Sequence, residues 1–97
     1  MTDTTQLSAL SFLNNAANHM AERAVQYDSP NGERSIAATV TAFNAATGLN
    51  LTEAQGWFFM LMLKAVRSQQ GEFKADSFED LVAYAALAGE AASVGNA

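Results

Sequence analysis

Residues 51–71, LTEAQGWFFMLMLKAVRSQQG, constrain the fold more than any other part of the chain. The run Trp57-Phe58-Phe59-Met60-Leu61-Met62-Leu63 is apolar around the whole circumference of a helix. A surface helix shows a stripe, so this pattern predicts a helix enclosed by other helices or by a second subunit. Thr52 and Gln55 have the spacing of a capping box, and Gly71 can take the left-handed backbone that closes a helix. The apolar run is far shorter than the roughly 20 residues that cross a bilayer. Trp57, Met60, Lys64 and Arg67 fall on neighbouring parts of one face. Two readings follow for the Lys64/Arg67 pair. In one, both cations reach past apolar stems to solvent at the helix C-terminus; in the other they form an anion site.

The rest of the chain reads as helices too. Leu10, Leu13, Ala17, Met20, Ala24 and Tyr27 recur at spacings of three and four, a packing pattern for a first helix opened by Thr4 or Thr5. Asn14, Asn15, Asn18 and Glu22 mark its wetter side. His19 is the only histidine, and with no cysteine anywhere it makes a poor metal site. Tyr27-Asp28-Ser29-Pro30-Asn31-Gly32 is a turn. A second helix over 33–47 buries Ile36, Val40 and Phe43, and Gly48 ends it. After Gly71, Phe73 is expected to fold back into the core. Asp76 with Glu79, or Ser77 with Asp80, predicts a capped start for the last helix. On that helix Leu81, Ala85 and Ala88 form one line, and Asp80 and Tyr84 share a face.

These readings predict an all-α single domain, a four-helix bundle with helices near 5–26, 33–47, 52–70 and 77–92 and a frayed tail at 93–97. The expected core includes Leu13, Met20, Val40, Phe43, Phe58, Leu61, Met62, Leu81 and Ala85. Only 15% of the 97 residues are charged, against about 25% in typical soluble proteins. So few charges hardly cover a small globule, which predicts a homo-oligomer, a dimer or larger. The net charge of −5 argues against binding nucleic acid or an anionic membrane. The opening MTDTTQ has no apolar core of a secretory signal, so a cytoplasmic location is expected.

Most enzyme motifs are missing: there is no P-loop, no GxSxG, no HExxH and no dinucleotide fingerprint. A Mg²⁺ site in a bundle needs carboxylate pairs on facing helices. Asp76 has helical spacing to Glu79 and to Asp80, but Glu22 and Glu53 each stand alone, and helix capping explains the Asp76 cluster without a metal.

The order Glu22-Arg23…Gln26-Tyr27-Asp28…Pro30, then Leu63-Lys64…Arg67, then Asp76-Ser77…Asp80-Leu81…Tyr84-Ala85-Ala86-Leu87 resembles a family of small phage and prophage helical proteins of unknown function. Asp28 stands where that family usually has glycine. More remotely, EDLVAYAALAGE is similar to the last acidic helix of the MazG-like all-α nucleoside triphosphate pyrophosphohydrolases. That group holds Mg²⁺ between an E-x-x-E and an E-x-x-D pair, and the first pair is missing here. The resemblance implies a polar pocket with Lys64 and Arg67 as phosphate partners, and with Tyr27, Trp57, Asp80 and Tyr84 around the ligand. The leading expectation is a non-catalytic phage-type binder of a nucleotide or cyclic nucleotide, sequestering a nucleotide signal in antagonism of host defence. It needs no metal or other cofactor. A phage protein that inhibits a host protein is one alternative. A Mg²⁺-dependent nucleotide pyrophosphohydrolase is the other.

Overall fold

A computed structural model describes residues 7–26 and 35–94, and within them the chain is all-α, with four helices and no strand. They are α1 (Ala9–Gln26), α2 (Ser35–Thr47), α3 (Glu53–Ser68) and α4 (Ala75–Ser93). The first helix begins later than expected. Leu7 and Ser8 are not helical, and Ser8 Oγ accepts the Ser11 amide at 3.0 Å, so Ser8 is the cap. Thr4, Thr5 and the turn around Tyr27 lie outside the described residues.

The start of α3 follows the sequence closely. Thr52 Oγ1 accepts the Gln55 amide at 3.1 Å, and Gln55 Oε1 accepts the Thr52 amide at 2.9 Å, so both halves of the capping box form. Gly48 (φ +75°) and Gly71 (φ +68°) end α2 and the α3 turn in the left-handed region. The connector between α2 and α3 is held by a side chain the sequence did not single out. Asn44 donates to the Leu51 carbonyl at 2.9 Å and accepts the Leu51 amide at 3.0 Å.

The start of α4 departs from expectation. Its N-cap is Lys74, which offers no side-chain acceptor. The Ser77 amide bonds the Lys74 carbonyl instead, at 3.2 Å. Neither anticipated capping pair forms, because the helix starts before them: with Lys74 as the cap, Asp76 and Ser77 already lie within the first turn, and Glu79 and Asp80 turn to α1 and α3.

Packing runs in the order α1–α4–α3–α2, with α3 against α4 the most extensive contact; among the described residues α1 and α2 do not meet. The arrangement is an open array with α4 between α1 and α3. Trp57, only 3% exposed, lies against Tyr84 with ring centroids 5.7 Å apart. Phe12 of α1 meets Phe78 of α4 edge-on at 6.2 Å. Where α2 crosses α3, Gly56 is buried against Val40 and Ile36.

This open order corrects the expected core. Val40 is buried, and Met20, Leu61 and Leu81 are half-buried. Leu13, Phe43, Phe58, Met62 and Ala85 are exposed. The reason is geometric: α3 touches neighbours on one side only, so half of its apolar circumference stays uncovered within the chain. Phe73 is likewise 64% exposed rather than tucked in, with one ring face stacked on Phe78 at 5.9 Å. No described helix is long and apolar enough to cross a membrane.

Candidate functional site

The turn between α3 and α4 reverses the chain in a few residues, which brings the last turn of α3 beside the first turn of α4. A polar cleft of about 310 Å³ opens there. Lys64, Arg67, Ser68 and Gln70 line it from the α3 side, and Glu72, Lys74, Asp76 and Ser77 from the α4 side. The cleft thus gathers three of the five basic residues in a chain of net charge −5. Two carboxylates, Glu72 and Asp76, share the lining.

The cations are not equivalent. Lys64 Nζ lies 2.8 Å from Asp80 Oδ2, one helix to the next, and is largely covered. That pair leaves Lys64 partly neutralised and fixed in position. Arg67 and Lys74 are exposed, and among the described residues neither has a carboxylate within ion-pairing distance. Their charges are therefore uncommitted. Two further features favour an anion. The α4 N-terminus beside the cleft has no side-chain cap, so its first amides carry the positive end of the helix dipole, with Asp76 of the same turn as its counter-charge. The carbonyls at the end of α3 are occupied, Val66 by the Gln69 amide at 3.0 Å and Arg67 by the Gln70 amide at 3.1 Å.

Of the sequence-derived ligand residues, Lys64 and Arg67 are brought together at the cleft, and Asp80 adjoins it through Lys64. Trp57 and Tyr84 pack on each other in the α3–α4 interface, where Trp57 has almost no surface to offer a ligand. Trp57 Nε1 donates a long bond to Glu53 Oε2, 3.4 Å. Tyr27 lies outside the described residues. Lys74, Ser68, Gln70 and Ser77 line the cleft but were not singled out. Their common signal is proximity to the Gly71 turn, which brings both flanks together.

A second polar cluster joins α1 to α4. Glu79 is 7% exposed, buried among its neighbours, and accepts from Asn15 Nδ2 at 3.1 Å. His19 Nε2 lies 2.9 Å from its other oxygen. Asn15, expected on the wet side, therefore faces inward. Asn15 and His19 are four residues apart and share a face of α1, a signal visible in the sequence; their partner was not. Among the described residues, no three of His, Cys, Asp and Glu come together as a metal site. The acids of α4 diverge instead, Glu79 to α1 and Asp80 to Lys64.

Comparison with known proteins gives a family but no function. No curated protein and no solved structure matches the chain. Residues 11–92, from the first turn of α1 to the last turn of α4, match the family model described as "Domain of unknown function (DUF6378)", and the chain belongs to that family.

Proposed function

We propose that the protein is a non-catalytic binder of a small phosphate-bearing ligand, nucleotide-like in class, held at the cleft between the end of α3 and the start of α4. The observation that carries this reading is the pair of uncommitted cations, Arg67 and Lys74, beside the uncapped N-terminus of α4 in an otherwise acidic chain. Arginine's fork suits two phosphate oxygens at once. Amides of a helix N-terminus suit a third. Lys64 stands behind them, held by Asp80, and adds charge without needing to move. Binding without turnover is favoured because Glu79 and Asp80 are engaged by α1 and by Lys64, which leaves Asp76 as the α4 carboxylate that lines the cleft. In the small-phage-protein setting suggested by the sequence resemblance, such a binder would act by sequestering a nucleotide signal.

Thermal-shift titration with pyrophosphate, mononucleotides and cyclic oligonucleotides, each with and without chelator, tests the reading. A ligand at a hundred times its Kd adds about 2.7 kcal/mol to stability, which raises the melting temperature of a domain this small by well over 5 °C. Arg67→Gln with Lys74→Gln should fold normally and abolish the shift. A shift that disappears in chelator, accompanied by turnover, would favour the pyrophosphohydrolase alternative. No shift with any of these ligands, together with capture of a host protein, would replace the ligand reading with that of a protein inhibitor.

A further inference from the structure

The outward face of α3 is apolar along its length. With Trp57 set toward α4, helical geometry places Phe58, Phe59, Met62, Leu63 and Val66 on the opposite half of the cylinder. All five are exposed, Phe59 by 66%. No charged residue interrupts them; Arg67 lies at the edge toward the cleft. A face of this kind on one helix needs a cover.

We propose that the cover is a second copy of the chain, with α3 packed antiparallel on its symmetry mate about a two-fold axis near Met62. The first argument is the patch itself. Phe58, Phe59, Met62, Leu63 and Val66 form one exposed apolar strip, about 12 Å long on a single helix, and a contiguous patch of this kind marks a protein–protein contact. The second argument is self-complementarity, which a two-fold interface requires. Counting outward from Met62, Phe58 and Val66 are four residues away on either side, and Gln55 and Gln69 are seven away. All four are exposed. An antiparallel pair therefore sets Phe58 against the partner's Val66, and Gln55 against the partner's Gln69. Apolar groups meet at the centre, and amides that can donate to each other meet at the rim. A membrane surface fits poorly: interfacial helices are rich in Lys and Arg along their polar face, whereas α3 offers Arg67 alone at the edge, its Lys64 being paired with Asp80, on a chain of net charge −5. The interface borders the ligand cleft at Gln69, which lies between the cleft residues Ser68 and Gln70.

Sedimentation equilibrium of the full chain, combined with cysteine cross-linking, tests the arrangement. The wild type should be a dimer at micromolar concentration. Met62→Lys places two like charges at the axis and should raise the dimer dissociation constant roughly a hundredfold or more, with helical circular dichroism retained. Ala86→Lys, on the exposed side of α4, should leave the dimer intact. The chain has no cysteine, so introduced thiols report cleanly. Met62→Cys should link to itself through a short bis-maleimide. Gln55→Cys alone should not, while Gln55→Cys combined with Gln69→Cys should. Those two positions are about 21 Å apart along one helix, so that link must join two chains. A wild-type monomer, a Met62→Lys dimer of undiminished affinity, or self-linking of Gln55→Cys alone would each overturn the proposal. If Met62→Lys fails to fold, the cysteine variants decide the outcome alone.

Discussion

Replacing Gly56 with alanine sets two effects against each other, and the structure says which should win. In an isolated helix the change helps by about 1 kcal/mol, because alanine is the better helix former. Here a Cβ on Gly56 would lie 2.5 Å from Val40 Cγ2 and 2.9 Å from Ile36 Cγ2. Ordinary carbon contacts begin near 3.5 Å, so α2 must retreat by about 1 Å or its side chains must rotate. Rotation is closed off, since valine and isoleucine in a helix hold one strongly preferred χ1. Retreat loses the small contact by which α2 is held. Overpacking of this kind costs about 1–3 kcal/mol, so the net effect should be a destabilisation of about 1 kcal/mol. Urea unfolding read by Trp57 fluorescence and by circular dichroism measures it. With a slope of about 1–3 kcal/mol per molar, the midpoint should fall by about 0.3–1 M. Val40→Ala removes the nearer obstacle, so the double variant should be less destabilised than the sum of the two single changes. A Gly56→Ala protein more stable than wild type would refute the close crossing of α2 on α3.

Glu79 allows a test in which polarity rather than packing decides. Asn15→Leu with His19→Leu strands its carboxylate and should cost about 1–3 kcal/mol or more, and adding Glu79→Leu should recover much of that loss; a double variant as stable as wild type would mean that Glu79 reaches water unaided. Asn44→Ala should cost about 1–2 kcal/mol, from two modest hydrogen bonds to Leu51. Hydrogen exchange at the Leu51 amide should speed up, and unchanged protection would show that the connector is held by something else.

Local features of the fold were legible because they depend on residues close in sequence. The Thr52/Gln55 box, the left-handed glycines at 48 and 71 and the all-α class each follow from spacing and backbone preference alone. The α4 cap failed for an equally definite reason. The helix starts at Ala75, which puts Asp76 and Ser77 inside its first turn rather than at the cap, and Glu79 and Asp80 bond Asn15, His19 and Lys64 from 64, 60 and 16 residues away in sequence. Local competition can be read from the sequence; a partner on another helix cannot.

The candidate site divides in the same way. Sequence alone put Lys64 and Arg67 one turn apart on one face and closed their helix at Gly71. It could not say that Lys74 would join them, or that Trp57 would turn away from the cleft to pack on Tyr84. Sequence likewise fixed how much apolar surface α3 carries, through the unbroken run from Trp57 to Leu63. Which half of that surface is buried was decided by tertiary structure, because α4 and α2 can reach only one side of the helix. The other side, from Phe58 to Val66, is left facing outward.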